Sequence, residues 1–387
     1  MISIIFSSKA FATAEGEEVQ ENIETDKKVV TQITKAVVSE IGEIQEIQTD
    51  YMTDTIQKVK IEILDGEYKG KEYDAEYVLA YDLEAKIKNY ELKVGDEVTV
   101  QITDDGAGTV TAQVEDIVRT NYVILMLVLF LIAFFMITGK QGIKPVLSLI
   151  IIALTIYFVL LKGIYAGNNA ILMTFLATII IVVFNSIIMS GLSKKTITLI
   201  IGILFSTIIS GIIGYIFIHL TKISGISENI IQLSLNMTQI EFSFRDIVLV
   251  STMISSIGLC MNIGMFIVNK LDEQKDKTAD ISRKEIIKDG IEFGKKLISN
   301  QINTITLIFI GISISLLLAF LASNTRTIEV LNKESVIEII VVAFSVCLSA
   351  LFSIPIISAN YAVFNHKKIL YRTTSENKLD GNRSLKI

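Results

Sequence analysis

Three asparagines are the side chains best suited to chemistry in this chain, because each lies within or beside a long apolar run. Asn185 lies late in one run, Asn262 is central in another, and Asn303 opens a third together with Thr304. An amide that faces hydrocarbon is costly, so each side chain is expected to face the interior of a helical bundle. There the amides could bind a polar solute without any titratable group, or they could simply hold helices together.

The rest of the sequence offers few groups that could catalyse a reaction. It contains no nucleophile elbow, Walker loop, HExxH motif or Cys/His metal spacing. Cys260 and Cys347 lie inside apolar runs, and His219 and His366 lie at run ends without a carboxylate cluster. We therefore expect no enzymatic activity, no cofactor and no metal site.

Seven apolar runs carry these residues, and none has an ionisable side chain in its interior. Helices of roughly 20 apolar residues cross the hydrocarbon core of a bilayer, with every backbone group bonded internally. The runs cover residues 122–138, 145–161, 169–190, 197–219, 247–268, 302–322 and 337–359. A hydrophobic fraction of 51% and a mean hydropathy of +0.55 are too high for an ordinary soluble protein. The sequence predicts an α-helical polytopic membrane bundle with seven transmembrane helices.

Small residues form stripes on three of these predicted helices. In the fourth run they recur every four residues, at Gly202, Ser206, Ser210 and Gly214. Two further stripes contain Ser251, Ser255, Gly258 and Asn262 in the fifth run, and Ser345, Ser349 and Ser353 in the seventh. Because helices in lipid associate through close packing of small residues, these faces could be packing seams. They could equally line a solute path, and the pattern alone leaves both interpretations open.

The charge distribution divides the chain into two parts. Residues 13–118 contain 26 Asp and Glu against 10 Lys and Arg, whereas residues 119–387 contain 15 against 24. An acidic soluble domain at 29–118 is therefore expected before a basic transmembrane domain at 119–363. Residues 13–28 are predicted to be an acidic flexible lead-in. Residues 1–12 resemble the remnant of a signal or anchor segment, whose start lies either upstream or within this weak signal.

The acidic domain shows the alternation of β-strands. Runs rich in β-branched residues at 29–38, 56–64, 73–81, 98–103 and 109–117 are separated by turn signals such as Asp65-Gly66 and Gly95-Asp96. Five or six short strands in such a length predict a small all-β domain, an OB-like barrel. Its strong negative charge would repel phosphates and excludes nucleic acid as a partner. A solubilising or assembly role, or the sensing of a cation or peptide, remains open.

Basic residues set the predicted orientation. If the acidic domain lies outside the cell, eighteen Lys and Arg fall in inside segments and five in outside loops. The inside segments include an amphipathic cytoplasmic loop at 270–300, which is predicted to lie on the inner leaflet, and a basic cytoplasmic tail at 364–387.

The order of these parts resembles the YibE/F family of bacterial multi-pass membrane proteins. The residues that carry the resemblance are the Gly95-Asp96-Glu97-Val98 turn, Gly139-Lys140-Gln141-Gly142, the Gly191–Thr196 segment, the Gly258–Met265 segment and Asn303-Thr304. The resemblance implies a location in the bacterial plasma membrane but no particular chemistry. It also implies that Asn262 stands where the family pattern carries an aspartate.

Two functional hypotheses follow from the sequence. The first is a permease or exporter component for a small or amphipathic solute, which would bind through Asn185, Asn262, Asn303 and Thr304. The second is a membrane scaffold or sensor whose acidic outer domain binds an extracellular ligand or a partner protein. The lipid bilayer, a small solute and a partner membrane protein are the expected partners.

Overall fold

A computed structural model of the chain describes residues 30–48, 53–80, 90–104, 110–226, 243–277, 281–323 and 325–381. The predicted signal remnant at 1–12 and the acidic lead-in at 13–28 lie outside these residues. By its internal contacts the chain divides into two compact units, Met1–Gly139 and Lys140–Ile387. This division falls after the first apolar helix, whereas the sequence places the change from aqueous to membrane domain at residue 119.

The first unit contains five strands that close into a barrel. Around it the strands follow the order β1-β2-β3-β5-β4, and β4 pairs with β1 to complete the ring. The pairs are antiparallel except for β3 and β5, which run parallel. The strands are β1 (Val30–Gln48), β2 (Thr53–Ile63), β3 (Glu72–Ala80), β4 (Glu97–Asp104) and β5 (Val110–Ile117).

The barrel is filled by every second residue of its strands. In β4, for example, Val98, Val100 and Ile102 are at most 1% exposed, while the residues between them are only partly buried. Strand side chains alternate between the two faces, so this pattern puts the apolar set inside and the polar set outside. Each fully buried aliphatic side chain contributes about 1.5–3 kcal/mol to the stability of such a core.

The first strand is longer than the sequence predicts. Its predicted end is Val38, but β1 continues to Gln48 and pairs with β2 along this extension. Register shifts after Val38 and Ile41 bend the pair. The described side chains from Ser39 to Glu46 are exposed, so the isoleucines among them do not mark a buried strand face.

Long helices make up the rest of the described structure. The first unit ends with α1 (Thr120–Thr138). A 3-10 turn at Gly139–Gly142, where Gly139 has φ 54°, leads into α2, which runs on through a π-helical segment (Ile156–Leu161) into α3. The remaining bounds are α2 (Ile143–Thr155), α3 (Lys162–Tyr165), α4 (Ala170–Ser190), α5 (Lys194–Leu220), α6 (Phe244–Lys277), α7 (Arg283–Ala322), α8 (Thr327–Val330) and α9 (Glu334–Gly381).

Within the described residues, six helical segments are long and apolar enough to cross a membrane. The sequence predicts seven, and the difference lies at the first two runs, which fall in one helical segment from Thr120 to Tyr165. The other five segments correspond to the remaining five predicted runs. The predominantly helical, apolar character of the second unit therefore agrees with the predicted helical membrane domain.

The predicted cytoplasmic loop at 270–300 is mostly helical and packed against the bundle. Helix α6 continues to Lys277 and α7 starts at Arg283, after Ser282 forms a capping box with Glu285. Gly290 and Gly294 press directly against Ser358 and Ile354 of α9. Glycines one turn apart thus let α9 approach this face of α7 closely. The position of the helix on the inner leaflet stays a prediction.

Candidate functional site

Helices α5, α6 and α9 form the centre of the second unit, and the small residues of α5 lie at their contact. Gly202, Ser206, Ser210 and Gly214 are all buried. A Cβ atom added at Gly202 would collide with the Cγ1 atom of Ile357 in α9, and one added at Gly214 would lie 3.1 Å from Thr252 in α6. This stripe of α5 is therefore covered by two neighbouring helices.

A small polar cluster occupies the same contact region. The Cys260 sulfur of α6 lies 3.4 Å from the Ser349 hydroxyl of α9. Ser353 of α9 and Ser206 of α5 also contact the thiol, and all four side chains are at most 1% exposed. The serine stripe of the seventh run thus faces the bundle interior and contributes polar atoms to it.

Asn185 lies inside the bundle on α4. Its side chain is 8% exposed, and its amide oxygen has no hydrogen-bond partner among the described residues. Further unpaired buried hydroxyls lie on α4 and α5: Thr178, Ser186, Thr207 and Ser210. An unpaired buried polar atom costs about 1–3 kcal/mol, so these atoms are not explained by helix packing alone.

Asn262 lies on the outside of the helical unit, so the prediction that it faces the bundle interior is wrong. Helix α6 is otherwise the most enclosed of the six apolar segments, with 67% of its most apolar stretch buried. Between Ile247 and Val268 its exposed residues are all small or polar, namely Ser251, Ser255, Gly258 and Asn262. We call these four residues the α6 stripe.

The α6 stripe is open along its length. A Cβ atom at Gly258 would find no atom within 4 Å, whereas one at Gly211 or Gly264 would touch neighbouring side chains. Ser251 and Asn262 are eleven residues apart, about 16 Å of helix at 1.5 Å per residue, and exposed Asn269 extends the polar line to about 27 Å. That length approaches the roughly 30 Å of a bilayer's hydrocarbon core.

Asn303 and Thr304 are exposed on α7, contrary to the prediction for Asn303. The Thr304 hydroxyl donates to the Asn300 carbonyl one turn earlier, at 2.9 Å. No contact among the described residues joins Asn185, Asn262 and Asn303. The structure therefore does not bring the predicted amides together in one site, because one is buried and two are exposed on different helices.

Two polar contacts that the sequence did not reveal tie the helices together near their ends. At one end, Asp272 of α6 forms a salt bridge with Lys195 of α5 and accepts a hydrogen bond of 3.0 Å from Tyr361 of α9. The only sequence signal is that Asp272 follows directly after the apolar run of α6, next to other charged residues.

At the other end, the Glu334 carboxylate of α9 accepts three hydrogen bonds of 2.7–2.8 Å, from the Ser224 amide and hydroxyl and from the Gly225 amide. Gly225 has φ 79° and its Cα packs against the backbone of Phe244, so only glycine fits there. Glu338 lies one helical turn after Glu334 and is partly buried. The seventh predicted apolar run, 337–359, therefore contains a carboxylate near its start.

Cavities of ligand size among the described residues include one on the barrel and one between two helices. The cavity on the barrel measures about 830 Å³, with Lys58, Glu76 and Gln113 among its lining residues. The other is an apolar groove of about 520 Å³ between α7 and α9, with Cys347 in its wall. Among the described residues, no three His, Cys, Asp or Glu side chains come together as metal ligands would.

The helical part of the chain matches a known protein family. A family model described as YibE/F-like protein matches residues 126–367, which is more than half of the chain. The chain belongs to the YibE/F-like family. The match covers the α6 stripe, the α5 packing face and both end contacts, so all of these lie in the family's characteristic region. No curated protein and no solved structure matches the chain.

Proposed function

We propose that the helical unit is a permease or exporter component that moves an amphipathic solute along the α6 stripe. The observation that supports this proposal is that a largely enclosed apolar helix exposes, between Ile247 and Val268, only the four residues of the α6 stripe. Exposed hydroxyl and amide groups are unfavourable against hydrocarbon. A polar solute group would meet them in place of lipid.

The composition of the stripe fits a solute held by hydrogen bonds. The Ser251 hydroxyl already donates to the Val248 carbonyl at 2.8 Å, so Ser251 offers an acceptor, while Ser255 and Asn262 offer donors and acceptors. None of these groups is charged, so the attraction between stripe and solute is moderate at every position. Because the stripe is open at the side, an apolar part of the solute could remain in the lipid while its polar part contacts α6. These features favour an amphipathic molecule and a role that is not enzymatic.

The proposal includes an arrangement in the membrane. The helical segment from Thr120 to Tyr165 has 46 residues. As a continuous helix it would be about 69 Å long, which is more than twice the hydrocarbon thickness. We therefore propose two crossings that divide near Gly139 and seven crossings in all. The excess of Lys and Arg in alternate loops favours an OB-like barrel outside the bacterial plasma membrane and a cytoplasmic C-terminus.

Transport can be tested with the full chain in proteoliposomes. The probes are a fluorescently labelled phospholipid and a cationic amphiphilic dye, followed from one leaflet or compartment to the other. The variant Ser255→Leu/Asn262→Leu should slow movement of a transported probe at least about tenfold, because leucine offers neither donor nor acceptor. The matched variant Ile208→Leu/Ile212→Leu changes two exposed residues of α5 and should leave the rate unchanged.

A scaffold or sensor function is the second candidate, and the open space over Gly258 supports it. A helix of a partner membrane protein could lie on the α6 stripe at close range, as small residues permit. In that case the leucine variant would abolish co-purification of the partner, while neither probe would move even with the unaltered protein. Normal probe movement in the folded leucine variant would reject the permease proposal.

A further inference from the structure

Polar side chains form a straight row across the outside of the barrel. On four adjacent strands, Lys58 of β2 lies opposite Glu76 of β3, Glu76 lies beside Gln113 of β5, and Gln113 lies opposite Gln101 of β4. All four belong to the outward-facing set of their strands and line the cavity of about 830 Å³. We call them the barrel row.

The barrel row is available to a ligand. Among the described residues, neither Lys58 nor Glu76 takes part in an ion pair, although they face each other across two strands. In contrast, Lys60 on the next outward position of β2 is bound to Glu72 at 2.9 Å. The cavity volume falls within the range of about 300–1,000 Å³ that is typical of small-molecule sites.

The charges in the cavity argue against strongly charged ligands. Its lining contains two lysines and the three carboxylates of Glu40, Asp74 and Glu76, so positive and negative groups nearly balance. The amides of Gln101 and Gln113 can donate and accept hydrogen bonds at once. The partly exposed Val78 adds apolar surface beside the row. This surface suits a neutral ligand rich in hydroxyl or amide groups.

The strand pairing argues against an extended peptide. Peptides commonly bind sheets by adding a strand at a free edge. Each of the four strands that carry the barrel row already has partners on both sides. The side chains of the row instead repeat at the inter-strand distance of about 4.8 Å, which is close to the length of one hexose unit in an extended glycan.

From this geometry we propose that the barrel row binds a neutral oligosaccharide that runs across the strands. Successive sugar units would contact Lys58, Glu76, Gln113 and Gln101 in turn, and the apolar face of a sugar ring would pack on the partly exposed Val78. This proposal concerns the first unit alone and does not depend on transport by the helices.

The experiment uses the full chain in lipid nanodiscs and saturation-transfer NMR with three probes: chitotetraose, cellotetraose and maltotetraose. At least one probe should bind at concentrations up to about 10 mM. The variant Gln101→Ala/Gln113→Ala should weaken that binding about tenfold or more, because it removes two hydrogen-bonding side chains. The control Glu115→Ala changes an exposed residue of β5 outside the cavity and should bind as the unaltered protein does.

Thermal unfolding of each variant shows whether the barrel is intact, and truncation of exposed side chains is expected to preserve it. Absence of binding for all three probes with the folded, unaltered chain would overturn the proposal. Equal binding by the folded double-alanine variant would overturn it as well, since the glycan would then lie elsewhere.

Discussion

Helices α5 and α6 are neighbours in one bundle, yet they present opposite faces to their surroundings. Helix α5 buries its small residues, including Gly202 and Ser206, and exposes large apolar ones such as Phe205 and Ile212. Helix α6 buries large residues such as Ile263 and exposes its small and polar ones. The face of α5 suits hydrocarbon, whereas the α6 stripe suits a polar or closely packed partner.

This contrast shows that a stripe of small residues has two different uses in one protein. On α5 the stripe lets α6 and α9 approach closely, and every member is covered. On α6 an equivalent stripe is uncovered in the single chain. The two stripes should therefore differ in their effect on stability, in their local contacts and in their surroundings.

The largest expected effect comes from placing the same side chain in each stripe. Gly202→Leu forces a side chain into Ile357, which is itself fully buried, and should destabilise the protein by about 3 kcal/mol or more. Gly258→Leu meets open space and should leave stability unchanged or slightly raised, since leucine is the better helix former. Thermal unfolding of the detergent-solubilised protein measures the stability of both variants. Similar losses for the two variants would mean that the α6 stripe is also a packed face.

A smaller effect is expected where charged groups join α5 and α6. Asp272→Ala removes the salt bridge to Lys195 and the acceptor for the Tyr361 hydroxyl, which should lower stability by about 2 kcal/mol. The control Glu292→Ala breaks an exposed pair with Lys296 within α7 and should have no measurable effect. The same thermal measurement applies. An Asp272→Ala variant as stable as the control would show that this contact does not hold the helices together.

The smallest expected effect concerns a single hydrogen bond in the barrel. Because the barrel is separate from the bundle, this bond serves as a reference for the effects on the two stripes. The Tyr68 hydroxyl donates to the Asp104 carboxylate at 2.8 Å, and this bond raises the pKa of Tyr68 from 10 to about 12. Because the folded pKa is the higher one, the stabilisation is complete below pH 10 and is lost as the pH rises towards 12. Alkaline titration of tyrosine absorbance should therefore lose one late-ionising group in Tyr68→Phe. Loss of a group that ionises near the ordinary tyrosine pKa of about 10 instead would refute the hydrogen bond.

The sequence predicts the local elements well, because apolar periodicity reports directly on burial within one helix or strand. Period-two alternation predicted strands at β2, β3, β4 and β5, and spacing by four residues placed Gly202 and Gly214 on one face of α5. The family resemblance is confirmed by the match over residues 126–367. These features depend on residues close together in sequence.

The features that the sequence did not predict concern which neighbour, if any, covers a given face of a helix. Asn262 and Asn303 were expected inside the bundle because amides avoid lipid, but periodicity does not say whether another helix covers them. The packing of the helix after Ser282 against α9 through Gly290 and Gly294 was not predicted either, because its apolar face was expected to meet lipid. Contacts such as Asp272 with Tyr361 join residues far apart in sequence and leave no local signal.

The most direct test of the account is the chemical environment of the α6 stripe in a membrane. In a chain with Cys260→Ser and Cys347→Ser, single cysteines are placed at Asn262 and, as a lipid-facing control, at Phe205 of α5. A water-soluble maleimide should label Asn262→Cys readily and leave Phe205→Cys unlabelled, because a polar path admits water and lipid does not. Equal resistance of both cysteines in intact membranes, with full labelling of both after denaturation, would contradict a polar path along α6.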